Sequence, residues 1–319
     1  MESLMATAEA IITLTGLAAI GFFALQRKII TQDMLKTLST LGIELSLPFY
    51  VFTNLALNFR PESSPGWWRL PLWWMLFAAA TLPLSLAAGY LFPQSIRKEV
   101  SISVYLYNPT FVAMAVISGI FGGDSPYIAD LFLFTMFTIM FQFNIYPFFF
   151  REKGAALLPG MTGIDWKKIF NPLIKATLLA LLFRLSGADA YIPDFVFSIA
   201  KQMGNMSAPL FMLIFGGYVY LDMQKAGKIR YLDVFKYVTI KNVLLPLAVL
   251  GLVYLTHPNF NVALLLLLSA AAPMLSTVPI FIERYHGDVE IANQFLVGSF
   301  LLSIFSIPVM IMILNWIYQ

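Results

Sequence analysis

Two short stretches carry prolines where a membrane helix should run unbroken. In SAAAPMLSTVPIFIERYHGD, residues 269–288, Pro273 and Pro279 flank Ser276 and Thr277, and Glu283 and Arg284 follow closely. In LYNPTF, residues 106–111, Asn108 is followed by Pro109 and Thr110. Proline removes an amide donor and its ring clashes with the turn before it, so each site should interrupt its helix. Backbone freed in this way is tolerated at bilayer depth only where it is buried in protein or lines a wet cavity. Two such breaks meeting near the midplane would present half-helix amino ends, whose partial positive charge favours an anion. Asn108 before Pro109, and Ser276 and Thr277 before Pro279, are suitable caps for those ends. A single proline could do no more than kink its helix. A matched pair with polar neighbours points to a shared binding site for an anionic group.

The elements that must position these residues follow from composition. Of 319 residues, 59% are hydrophobic and 12% charged, with a mean hydropathy of +0.78. An ordinary soluble domain carries about 25% charge. The apolar residues fall in blocks of about 20, the length that spans roughly 30 Å of hydrocarbon. The chain is therefore an integral membrane protein built of helices. Ten spans are predicted, at 4–25, 35–55, 70–92, 100–121, 127–150, 169–185, 195–221, 233–255, 262–282 and 291–317. The net charge of +3, with no basic arm, gives no reason to expect a nucleic-acid partner. Cysteine is absent, which excludes disulfides and thiolate metal sites. Met1-Glu2-Ser3 lacks the basic region of a signal peptide, so the first block is read as a retained span.

Lys and Arg cluster after odd-numbered spans: Arg27, Lys28 and Lys36; Arg97 and Lys98; Arg151, Lys153, Lys167 and Lys168; Lys225, Lys228, Arg230 and Lys236. Arg60 and Arg69 are the main exceptions. The bias predicts an inner or plasma membrane protein with both termini outside the cytoplasm and the loop 151–168 inside it. A repeat is also visible. Pro48 and Pro209 are 161 apart, Pro83 and Pro246 163, Pro109 and Pro273 164, and Pro147 and Pro308 161. Gly123-Asp124 recurs as Gly287-Asp288 at 164. Five matches in order at nearly one spacing place residues 1–150 over 169–319. An odd number of spans per copy makes the second copy enter the membrane upside down, the inverted-repeat plan of many secondary transporters.

The stretch RYHGDVEIA, residues 284–292, resembles the Tyr-Gly-x-Asp-x-x-x-Ala signature of the auxin efflux carrier family, which includes the plant PIN proteins. APLFMLIFGGYV (208–219) and NPLIKATLLALLF (171–183) resemble its seventh and sixth spans. In the fourth, Asn108 and Phe111 match, but Ala113 and Ala115 stand at the family's Gly and Pro positions, and Pro109 lies beside the Asn instead. The resemblance implies an all-α fold of ten helices in two inverted five-helix repeats, with broken crossing helices four and nine, as in NhaA-like and bile-acid-symporter-like carriers. Spans one, two, six and seven would form a scaffold and the rest a moving transport domain. The implied activity is transport of small organic anions, auxin-like acids or dicarboxylates such as malonate. The implied substrate contacts are Asn108, Asn144, Tyr146 and the region from Ser276 to Pro279. Asn144 could equally be interhelical glue, worth about 1 kcal/mol.

Among charges inside the spans, Glu44 and Lys175 sit at similar depth in the proposed scaffold. They could pair structurally, or an unpaired Glu44 could carry a coupling proton. Lys241 also falls inside an apolar run, while Lys201 and Asp130 lie near enough to span ends to snorkel. No ATP-binding loop, metal-ligand cluster or nucleophile–base motif is visible, so neither catalysis nor a cofactor is expected. A sodium-coupled symporter is the nearest rival reading, with Asn108, Thr110, Gln142, Ser276, Thr277 and Gln294 as possible oxygen ligands. A ligand-binding membrane sensor is the alternative of another class. The expected partners are the anion, the bilayer and a second copy of the chain through the scaffold helices.

Overall fold

The computed structural model describes residues 2–62, 66–108, 110–150, 171–188, 193–225 and 227–319. Pro109 and the loop 151–168 lie outside them. Among the described residues the chain is all-helical, and each predicted apolar block coincides with a helix or a chain of helices. The first is α1 (Glu2–Gln26). The second runs from α2 (Gln32–Leu41) through a π-turn, Gly42–Ser46, into α3 (Leu47–Asn58). The third is α4 (Leu70–Gly89). The fourth is split into α5 (Arg97–Tyr105) and α6 (Phe111–Phe121), and the fifth into α7 (Pro126–Thr135) and α8 (Thr138–Phe150).

The second half begins with α9 (Pro172–Ser186), followed by α10 (Asp194–Asn205) and α11 (Ser207–Lys225). The eighth block is α12 (Tyr231–Thr239), a second π-turn Ile240–Leu244, and α13 (Leu245–Thr256). The ninth is split into α14 (Phe260–Ala271) and α15 (Val278–Arg284), and α16 (Val289–Ile317) closes the chain. Five of these units are long and apolar enough to cross a membrane, and six if the bent pair Pro126–Gln142 and Asn144–Phe150 counts as one.

Capping side chains start several helices. Thr31 accepts from the Met34 amide, Asn171 from Ile174 and Asp288 from Ile291. Prolines place several of the irregularities. A proline offers no amide to the carbonyl four residues earlier and crowds it. The carbonyls facing Pro48 and Pro246, those of Glu44 and Asn242, both lie in the π-turns. The 47° bend of the fifth block falls at residue 143, four before Pro147. The interruption at Met206 follows residue 205, four before Pro209.

The broken blocks form the centre of the protein. Every residue of α14 from Val262 to Ala271 is buried, and so are residues 99–105 of α5. The outer helices instead expose Leu76, Leu182, Leu255 and Phe305, apolar side chains suited to lipid. α1 lies against α11 through two glycines. A Cβ on Gly216 would sit 1.7 Å from the Ala18 carbonyl oxygen, and one on Gly21 1.9 Å from that of Leu213. Such backbone contact is a characteristic means of helix association in lipid. α3 packs on α9 and α10, and Ser46 Oγ meets Ser207 Oγ at 2.7 Å.

Two sequence expectations need correction. Glu44 and Lys175 make no ion pair; both are exposed. The reason is helical phase: α9 buries Leu173, Ile174, Ala176 and Thr177, which turns Lys175 outward, and the first π-turn buries Gly42 and Ser46 rather than Glu44. Asp130 does not snorkel either. It is buried and accepts a hydrogen bond from Asn261 Nδ2. Lys201 reaches Asp124 at 2.8 Å across the gap between α10 and the end of α6.

The glycine contact gives a direct test. Gly216→Leu should lower the melting temperature of the detergent-solubilised protein, since overpacking costs about 1–3 kcal/mol and here the obstacle is backbone. Gly251→Leu, on an open surface of α13, should leave it unchanged. Equal melting temperatures for the two variants would refute the close packing of α1 on α11.

Candidate functional site

The two broken blocks meet backbone to backbone. Tyr107 and Met274 form an isolated antiparallel bridge. The Asn108 amide donates to the Pro273 carbonyl at 3.0 Å, and the Leu275 amide to the Leu106 carbonyl at 3.0 Å. Side chains satisfy what this pairing leaves over. Gln142 Nε2 donates to the Tyr107 carbonyl at 2.8 Å, and the Met274 amide donates to Ser299 Oγ at 3.2 Å. Tyr237 Oη donates to the Ser103 carbonyl at 2.9 Å, and Lys241 Nζ to the Ala270 carbonyl at 3.2 Å. The Tyr107 hydroxyl accepts from Trp74 Nε1 at 2.9 Å, fixing the ring at the break.

Asn108 Oδ1 accepts from the Phe111 amide at 3.2 Å, capping α6 as its position suggests. Thr277 is different. It precedes α15 but makes no capping bond, and its buried Oγ1 has no partner. Thr110 Oγ1 is likewise buried and unpaired.

Beside the crossing lies a cavity of about 400 Å³ lined by Asn108, Ser276, Thr277 and Pro279 from the breaks. Asn293 of α16, Phe111, and Phe211 and Tyr218 of α11 complete its inner wall. Lys36, Asp222, Lys225 and Glu283 stand toward its outer end. Phe111 and Phe211 stack at 3.8 Å between ring centres, a flat apolar surface next to the polar groups. Unspent donors on this wall include the Thr277 hydroxyl, the buried Asn293 amide nitrogen, and the Asn108 amide nitrogen, which makes no hydrogen bond among the described residues. Buried polar groups are nearly always paired, so an unpaired set on one cavity wall calls for a ligand with acceptor atoms or for water.

The other sequence-predicted residues lie elsewhere. Pro273 contributes its backbone carbonyl to the crossing. Tyr146 is buried, stacks on Phe281 at 4.1 Å and accepts from Arg284 Nη1 at 2.8 Å, so it anchors α15 from behind. Asn144 is exposed and donates to the Met140 carbonyl of its own helix at 2.7 Å. Gln142 and Tyr146, one turn apart, form the buried edge of α8; Asn144 sits between them in sequence and faces away. Asn293, Phe211 and Tyr218 were not singled out from sequence. Asn293 directly follows the RYHGDVEIA stretch, but nothing in its residue type distinguishes it from other asparagines in the chain.

A second hollow, of about 880 Å³, lies at the other end of the second block and shares no lining residue with the first. It is lined by Arg60, Arg69, Trp67, Trp73, Asp124, Asp130 and His257, among others. Lys201–Asp124 and the bond from Tyr50 Oη to the Gly123 carbonyl tie α10 and α3 to the turn after α6 near this hollow. No group of three or more His, Cys, Asp or Glu side chains placed to hold a metal occurs among the described residues.

The chain belongs to the membrane transport protein family, whose model matches residues 6–311. That family covers the auxin efflux carrier group that the RYHGDVEIA stretch resembles, and its members are transporters rather than enzymes. No curated protein matches the chain. The protein is thus a multi-pass membrane transporter, and the cavity at the crossing is its candidate substrate site.

Asn293→Leu separates binding from stability. Removing a buried amide nitrogen that lacks a partner should leave the melting temperature unchanged or raise it, by about 1 kcal/mol of stability. If the site takes a carboxylate, retention of carbon-14 malonate or tritiated indole-3-acetate by the purified protein should nonetheless fall. Lower stability with normal retention would place Asn293 in the fold and outside the site.

Proposed function

We propose that this protein is a secondary active or facilitative transporter, an efflux permease, for small organic anions of the carboxylate class. The observation that carries the reading is the pairing of residues 106–108 with 273–275 beside a cavity whose inner wall presents unspent donors, with the carboxylates of Asp222 and Glu283 toward its outer end. A carboxylate supplies acceptor oxygens for such groups, and charge-assisted bonds of this kind are the stronger ones. The amino end of α6 faces the same region and adds partial positive charge. The stacked Phe111 and Phe211 offer an apolar face for the rest of the substrate. A cavity of this size lies at the small end of the range for metabolite sites.

The proposed frame is ten spans in two inverted repeats, residues 1–150 and 169–319, joined by a cytoplasmic loop at 151–168. Supporting it, Ser46 and Ser207 touch at a separation of 161 residues, the spacing of the prolines. Residues related by a two-fold axis meet in this way when they lie on it. α1 packs on α11 while α3 packs on α9, as exchange of the two halves would require. In this frame the cavity opens toward the basic, cytoplasmic end near Lys36 and Lys225, and the Lys201–Asp124 and Tyr50–Gly123 contacts close the opposite end. The proposed cycle is an elevator movement of the crossing domain past a scaffold of spans one, two, six and seven. That scaffold is also the proposed surface for a homodimer in the plasma membrane.

Two experiments test this reading. Proteoliposomes loaded with unlabelled malonate or indole-3-acetate should accumulate the labelled form by counterflow, and neutral analogues such as malonamide should not compete. Failure of every carboxylate in a broad panel would defeat the anion assignment. For topology, single cysteines at Ser3, Ala156 and Gln319 in the cysteine-free chain should react with an impermeant thiol reagent on intact cells at both ends only. Labelling at 156 with protection at both ends would invert the frame.

A further inference from the structure

The eighth block puts two side chains, one turn apart, on the two carbonyl ends that face the crossing. α5 ends at Tyr105 and α14 at Ala271. The last carbonyls of a helix have no amide within it to accept from. The amide that would serve Ala270, that of Met274, is diverted to Ser299 Oγ. Lys241 Nζ takes its place at the Ala270 carbonyl. Tyr237 Oη does the same for Ser103 at the end of α5. Lys241 is 1% exposed, lies 5.5 Å from the centre of the Tyr107 ring, and has no carboxylate partner among the described residues. The π-turn Ile240–Leu244, imposed by Pro246, is the segment that carries it.

A buried ammonium without a carboxylate needs another source of negative potential. Two helix carbonyl ends supply about half a negative charge each, so together they roughly balance one lysine. In carriers with broken helices, such carbonyl ends are where alkali cations coordinate. We propose that Lys241 is the resident cation of the crossing: tethered to the chain, it fills the electrostatic role of a bound sodium ion and leaves the amino end of α6 free to attract an anion. Anion binding by this protein is then independent of sodium. The inference rests on the anion-site reading given above, and Lys241 acts as a positioning residue behind the cavity wall.

The test uses the full chain and two probes, carbon-14 malonate and tritiated indole-3-acetate. Each is measured in sodium chloride and in N-methyl-D-glucamine chloride, with the melting temperature followed in parallel. The unmodified chain should retain the anion equally in both salts, and sodium should not raise its melting temperature. Lys241→Met should lower retention roughly tenfold or more, while Lys241→Arg retains most of it. Lys241→Ala should regain binding with added ethylammonium but not with ethanol, and sodium should now raise its melting temperature. Lys241→Gln keeps a donor to Ala270 without the charge and replaces the Met variant if that fails to fold. Sodium-dependent retention by the unmodified chain, a melting temperature raised by sodium, or normal retention by a folded Met or Gln variant would each overturn the proposal. If the unmodified chain retains neither anion in either salt, the function reading fails first. The melting temperatures of the unmodified and Ala proteins then decide the role of Lys241.

Discussion

The structure depends on pairing backbone groups that two broken helices leave free in a low-dielectric interior. Each unsatisfied amide or carbonyl at bilayer depth costs several kcal/mol, so a break can persist only with its groups matched one by one. Here the matching is mutual. Residues 106–108 and 273–275 exchange two hydrogen bonds, and Gln142, Ser299, Tyr237 and Lys241 each take one remaining group. The partners come from three other blocks, the fifth, eighth and tenth, which explains why α5 and α14 are so thoroughly buried. Having spent these side chains on the backbone, the site keeps Asn108, Thr277 and Asn293 with donors unspent on the cavity side.

Proline governs this fold at several of its irregular points. At Pro48 and Pro246 a π-turn absorbs the lost hydrogen bond, at Pro147 the helix bends, and at Pro273 the helix stops. The outcome depends on what surrounds the freed carbonyl. Near Pro48 and Pro246 a widened turn suffices, and at Pro273 the opposing chain takes over. The second π-turn also places Lys241 where a regular helix would carry a different phase, joining the proline pattern to the electrostatics of the crossing.

Much of this was legible from sequence because length, hydropathy and proline spacing are one-dimensional signals. The block positions, the breaks at Pro273 and beside Asn108, and the cap on α6 followed from them, and RYHGDVEIA pointed to the family that the match over residues 6–311 establishes. What sequence could not supply was rotational phase. Lys175 was read by depth and Asn144 by resemblance, and each turns outward because nearby residues on its helix form the buried edge. Thr277 was read as a cap by residue type, yet its hydroxyl stays free. Asn293, Phe211 and the role of Lys241 depend on contacts between blocks far apart in the chain, which no local pattern encodes.

The central claim is that the paired breaks hold a carboxylate against Asn108, Thr277 and Asn293. The most direct measurement is an electron cryo-microscopy map of the full chain in lipid nanodiscs with saturating malonate, compared with one recorded without it. The account predicts added density in the cavity beside the crossing, in contact with those three side chains, with the backbone pairing of 106–108 and 273–275 intact. Malonate density confined to the hollow near Arg60 and Arg69, or a crossing whose two backbones stand apart, would contradict it.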